Sequence, residues 1–93
     1  MGSMLWLVTF NGEVWLTKQV NQRWLLVGVD TTITLHDSKL LTIDDVLVDL
    51  YKSNPVEVSA TPLTSARIAG FPSESLHWLS SSASRMREAL ESL

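Results

Sequence analysis

The chain has no cysteine. Disulfides and thiolate chemistry are therefore excluded, and a small domain without disulfides is more usual in the cytoplasm than outside the cell, which makes the cytoplasm the expected compartment. Charge is also scarce: 18% of residues are charged, below the usual quarter. The seven basic residues are scattered and form no run of Lys or Arg, which argues against a nucleic-acid backbone as the main partner. Long apolar runs are missing too. The longest, residues 4–8 and 24–29, are far too short to span a membrane, and no basic segment precedes a signal-like stretch. No phosphate loop, dinucleotide fingerprint, HExxH or CxxC pattern occurs, so no cofactor or metal is implied.

What remains is apolar. Hydrophobic residues make up 45% of 93 residues with a formal net charge of −3. Met1-Gly2-Ser3 ahead of Met4 reads as a cloning scar, leaving residues 4–93 as one domain. A domain this small buries only about two-thirds of the surface its unfolded chain exposes, so apolar surface is expected to be left over.

The most legible stretch is residues 40–53, LLTIDDVLVDLYKS. Ile43, Val46, Leu47, Leu50 and Tyr51 fall at i, i+3, i+4, i+7 and i+8, one stripe of an α-helix. Thr42 suits the N-cap and Asp45, three residues on, suits a capping box. Asp44 and Asp45 lie where the helix dipole favours negative charge, and Lys52 where it favours positive. Leu41 is placed to pack on Val46 as a hydrophobic staple. Asn54-Pro55 ends the helix.

Ahead of that helix the sequence reads as strands. Asn11-Gly12 between residues 5–10 and 13–18 predicts a two-residue type I′ hairpin, because that turn needs positive φ at both central residues. The turn sets the register: Phe10 opposite Glu13, Thr9 opposite Val14, Val8 opposite Trp15, Leu7 opposite Leu16. One face then carries Trp6, Val8, Phe10 and Trp15, the other Leu5, Leu7, Val14 and Leu16. Both are apolar, whereas a sheet wetted on one side alternates, so the hairpin should be covered on both sides, within the chain or by another. Residues 20–22 form a polar turn. Residues 23–29 make a third strand, with Leu25, Val27 and Val29 on one face and Trp24 and Leu26 on the other; Gly28 marks a bulge or a close backbone approach. Residues 32–36 alternate, with Ile33 and Leu35 inward.

After the helix, residues 56–59 read as a short edge strand opened by Pro55. Residues 61–70 read either as a short helix capped by Thr61, with Pro62 first and Gly70 after its end, or as an ordered loop. Residues 72–93 form a second long helix, with Leu76, Leu79, Ala83, Met86, Leu90 and Leu93 at alternating spacings of three and four. That seam lies on the sheet beside the first helix, or pairs with the same helix of a second chain. The expected fold is a two-layer α+β domain: an antiparallel sheet of four to five strands packed by helices near 42–53 and 73–92, in the order β-β-β-β-α-β-α.

Chemistry-bearing residues are few. His36-Asp37-Ser38 has the residue types of a hydrolase triad, but neighbours in one strand and turn do not converge on a reacting atom. His77 and Glu74 share helical spacing, yet two ligands make a weak metal site. Asp44, Asp45 and Asp49 are explained by capping and solubility. Trp6, Trp15 and Trp24 lie on strands, where core packing is the ordinary explanation. Trp78 lies off the seam of its helix and either meets a partner, where Trp is enriched, or covers the sheet edge.

The expected function is a non-enzymatic protein–protein interaction module, an adaptor, assembly factor or regulatory subunit that self-associates as a homodimer or higher. Trp6, Trp15, Trp78, Leu79, Met86 and Leu90 are the expected contact residues. The alternatives are a nucleic-acid-binding regulator using a patch of Arg67, Arg85 and Arg87, and a small enzyme using His36 or His77 as acid/base.

Overall fold

The computed structural model describes residues 4–53 and 57–93. The reading of the first three residues as a scar, the helix stop at Asn54-Pro55 and the strand start at Val56 lie outside them. Eight elements follow in order: β1 (Trp6–Phe10), β2 (Glu13–Val20), β3 (Arg23–Val27), β4 (Thr32–Leu35), α1 (Ile43–Ser53), β5 (Ser59–Pro62), α2 (Ser65–Ala69) and α3 (Ser73–Glu91). The strands form one antiparallel sheet in the order β4-β3-β2-β1-β5. This is the α+β class expected, with α2 as a further helix.

The β1–β2 register is the one the turn dictates, from Leu7 opposite Leu16 to Phe10 opposite Glu13. Asn11 and Gly12 take φ of 55° and 75°, the left-handed pair a type I′ turn requires. A second two-residue turn joins Val20 to Arg23. It places Asn21 at φ 50° and Gln22 at φ 65°. A glutamine there is strained by about 1–2 kcal/mol, against which glycine would lose about 0.5–1 in backbone entropy. Gln22→Gly is therefore expected to raise the unfolding free energy by about 0.5–1 kcal/mol in a urea titration. An unchanged or lower midpoint would contradict it.

The two faces of the sheet carry separate cores. On the upper face Val8, Trp15, Trp24 and Leu26 pack with Leu40, Val46 and Leu50, and Trp6, Phe10, Ile33, Leu35, Ile43 and Leu47 close around them. On the lower face Leu16, Leu25 and Val27 pack with Met86, flanked by Trp78, Leu79, Ala83, Ala89 and Leu90. The sheet is thus a middle layer: α1 covers one face and α3 the other, rather than both helices lying side by side on one face. That distribution covers the upper face of the hairpin and part of its lower face within the single chain, leaving Val14 exposed. The seam of α3 is spent largely on the sheet, with Leu76 and Leu93 at its ends left exposed.

Several local expectations are corrected. Leu41 is 69% exposed, and Leu40 is the buried residue that packs with Val46. Asp45 Oδ2 accepts from the backbone N–H groups of both Leu41 and Thr42 at 2.9 Å, which turns Leu40 inward and Leu41 out. Tyr51, at the end of the stripe, is also exposed. Val29 lies outside the lower core, because β3 stops at Val27 and Gly28 N–H donates to Thr31 C=O at 2.8 Å, closing a turn with Val29 in it. Finally, the edge strand spans Ser59–Pro62, so that of the expected residues 57–59 only Ser59 belongs to it. Its register is set by β1, with Ala60 opposite Val8 and Pro62 opposite Trp6. Thr61 and Pro62 are used in that strand, so the cap of α2 falls to Thr64, whose Oγ1 accepts from Arg67 N–H at 3.2 Å.

The cap of α1 is as the sequence indicates. Thr42 Oγ1 accepts from Asp45 N–H at 3.3 Å while the Asp45 carboxylate accepts in return. The backbone N–H groups of Thr42 and Leu41 hold the Asp45 carboxyl below its ordinary value. A carboxyl with a lowered folded-state pKa stabilises the fold above its unfolded pKa, near 4, and that contribution is lost as pH falls through the lowered value. Acid titration of helicity by circular dichroism should show part of its loss below about pH 4, and Asp45→Asn should remove that part while lowering stability at pH 7. An identical acid limb in the variant would rule out this origin.

Candidate functional site

α3 packs over β2 and β3, so the lower face of the β1–β2 hairpin is only partly roofed. Beside the helix start lies a groove of about 410 Å³. Leu7 and Val14 form its floor, Phe71 from the α2–α3 connection one wall, and Glu74, Ser75 and Trp78 from the first turns of α3 the other. Val14 is 42% exposed. It points to this face because its pair with Thr9 lies two positions along the ladder from the pair of Leu7 with Leu16, and side chains two apart share a face. Four of the six lining residues are apolar.

A second groove of about 410 Å³ adjoins it and shares Trp78 and Glu74. This one is polar. Asp30 comes from the β3–β4 turn, and His77, Ser81, Ser82 and Arg85 from α3. Arg85 Nη1 donates to Gly28 C=O at 2.6 Å and also to Val29 C=O, tying the middle of α3 to the β3–β4 turn. A third groove, about 360 Å³, lies against the outer side of α1 at Leu47, Val48, Tyr51, Lys52 and Val58.

The residues expected to make contacts are distributed unevenly. Trp78 is half-buried, packs on the lower core and walls both lower grooves. Leu79 and Leu90 are half-buried against the same core, and Trp6 against the upper one. Trp15 and Met86 are each 4% exposed. Both rings of contact around them come from the chain itself, so they have almost no surface to offer a partner. Trp15 also donates its indole N–H to Phe10 C=O at 3.0 Å, and its ring sits 6.2 Å from that of Phe10. Trp24 is likewise core, donating to Leu40 C=O at 2.6 Å.

The alternatives fare differently. Asp37 Oδ1 accepts from Lys39 N–H at 2.9 Å, so His36-Asp37-Ser38 is a strand end feeding a turn. His36, just past the end of β4, and His77, on α3, are both exposed, and of the two His77 lines the second groove. Among the described residues no three of His, Asp and Glu stand together as a metal would need. The arginines do not form a row: Arg85 is held by backbone carbonyls, and Arg87, two residues on, points about 200° away around a helix of 3.6 residues per turn. Among the described residues no helix is long and apolar enough to cross a membrane.

Sequence reasoning singled out Trp78 from its place off the seam. It missed Leu7, Val14, Phe71 and Asp30, because these meet Trp78 only through the tertiary placement of α3. Comparison with known protein families, with curated proteins and with solved structures found no match.

Proposed function

We propose that this chain is a non-catalytic protein-interaction module, an adaptor, assembly factor or regulatory subunit that holds a protein partner through the apolar groove beside α3. The supporting observation is that groove: Leu7, Val14 and Phe71 facing the indole of Trp78. Scattered exposed apolar side chains are ordinary, but apolar groups gathered in a concave site with a large aromatic wall are where binding energy concentrates. Its volume falls in the range of sites that take a ligand or anchor side chains. Among the described residues neither histidine has a carboxylate hydrogen-bonded to it, which favours binding over acid/base chemistry.

Val14→Glu tests the reading. The position is at the groove rim, so the fold should tolerate a carboxylate there while an apolar partner should not. Solution mass by light scattering over a dilution series comes first, because a second copy of the chain is the simplest partner. A concentration-dependent dimer that Val14→Glu weakens at least tenfold, with the melting temperature kept, supports the groove as the contact. If the wild type is monomeric, affinity capture from its native lysate follows, with Val14→Glu as the control. A monomer that retains nothing the variant fails to retain would sink the proposal.

A further inference from the structure

The polar groove adds a chemical requirement to the partner. Ser82 is 3% exposed, and its hydroxyl makes no hydrogen bond to any described residue. Yet no side-chain oxygen among the described residues is both sealed from solvent and unpartnered. The sliver of surface Ser82 keeps therefore includes its Oγ, and the surface it reaches is the polar groove. That hydroxyl is therefore open to water in the groove and free to exchange it for a donor or acceptor on an occupant.

The charges around it set the sign. Of the four ionisable side chains that line it, Asp30 and Glu74 supply two carboxylates, Arg85 a guanidinium, and His77 an imidazole counted as neutral in the formal charge. That guanidinium is already donating to the carbonyls of Gly28 and Val29, so part of its donor capacity is committed. The remaining balance is negative. Trp78, shared with the apolar groove, offers an indole along which an aliphatic stem can lie and whose face attracts a cation.

We infer that the two lower grooves are one docking surface, and that its occupant is a protein segment carrying an apolar side chain for the Leu7–Val14–Phe71 groove and a cationic side chain for the Asp30–Glu74–Ser82 groove. This rests on the reading proposed above and specifies the partner's chemistry. Trp78 separates the two subsites. In an extended segment, side chains two residues apart project on one side about 6.6 Å apart, a spacing suited to straddling one ring.

The test uses three capped tripeptides, acetyl-Leu-Ala-Lys-amide and its Gln and Glu counterparts, titrated into the full chain labelled with ¹⁵N at low salt. The expected result is that the Lys peptide shifts the Trp78 indole N–H and the amides of Asp30, Glu74 and Ser82, and binds about three- to tenfold tighter than the Gln peptide, the scale of one or two solvent-exposed ion pairs. The preference should shrink at several hundred millimolar salt and vanish in the Asp30→Asn, Glu74→Gln double variant. Equal binding of the Lys and Gln peptides overturns the inference, and tighter binding of the Glu peptide overturns it in favour of Arg85 as the reader of charge. If the Gln peptide still shifts Leu7, Val14 and Phe71 without any Lys preference, the apolar groove stands and the cationic subsite falls. If none of the three shifts either groove, both fall together.

Discussion

Gly28→Ala is expected to cost this domain about 3 kcal/mol, the upper part of the range for forcing extra volume into a packed core. The reason is local and geometric. A Cβ on Gly28 would stand 2.7 and 2.9 Å from Cζ3 and Cε3 of Trp15, closer than carbon atoms pack. Trp15 has nowhere to go. It is nearly fully buried, its indole N–H is held by Phe10 C=O, and its ring belongs to the upper core with Val8, Trp24 and Leu26. Nor is the backbone free to retreat, because Gly28 C=O accepts from Arg85 on the opposite side of the sheet. The residue is thus held from above by a ring and from below by a guanidinium. For a domain of this length the loss corresponds to a fall in melting temperature of roughly 12–24 °C. Gly70→Ala is the control: its added Cβ would find its nearest neighbour at an ordinary 3.6 Å, and little change is expected. Thermal or urea unfolding followed by tryptophan fluorescence gives both values. A Gly28→Ala loss below about 1 kcal/mol would mean that the ring can move and that the contact is not a constraint.

Gly28 also shows what a sequence can and cannot reveal. A glycine inside a strand-like run signals that something approaches closely, but the approaching group, Trp15, is thirteen positions earlier in the chain and is named only by the pairing of β2 with β3. The same division runs through the whole fold. The Asn11-Gly12 turn is a local device, and it fixes every pair of the first hairpin. The Thr42–Asp45 box is equally local, and α1 begins where it says. By contrast, the β5 register depends on the distant edge of β1, which drew residues 59–62 into the sheet and moved the next cap from Thr61 to Thr64. The face that each helix chooses is also nonlocal. The hairpin's two apolar faces announced that two covers were needed, but nothing in the heptad-like spacing of α3 says which side it takes. The candidate site lies at the far end of this scale. Trp78 stood out by its offset from the seam, while the floor beneath it, Leu7 and Val14, looked like any other strand positions.

The placement of one helix on each face makes a sharp prediction about two adjacent residues. Leu25 and Leu26 are consecutive on β3 and both are essentially fully buried. Leu25 packs downward with Leu16, Val27 and Met86 under α3, and Leu26 upward with Val8, Trp15 and Val46 under α1. In a sheet covered on one side, truncating one of two neighbours would matter and truncating the other would leave a wetted position nearly unaffected. Here Leu25→Ala and Leu26→Ala should each cost about 3–4 kcal/mol, the transfer of the lost carbons plus a cavity in a core that cannot collapse fully. The response should also be separable by location. Leu25→Ala opens space beneath α3 and should raise amide exchange there, near Ala83 and Met86, while Leu26→Ala should do so along α1 near Val46 and Leu50, since local stability follows local packing. Urea unfolding gives the totals, and hydrogen exchange resolved by residue gives the map. A cost under about 1 kcal/mol for either variant would show that one face is not packed as described. Comparable costs with exchange raised on the expected opposite helices would establish that each face has its own core, and that α3 is held firmly enough to present Trp78 as the fixed wall of the grooves beside it.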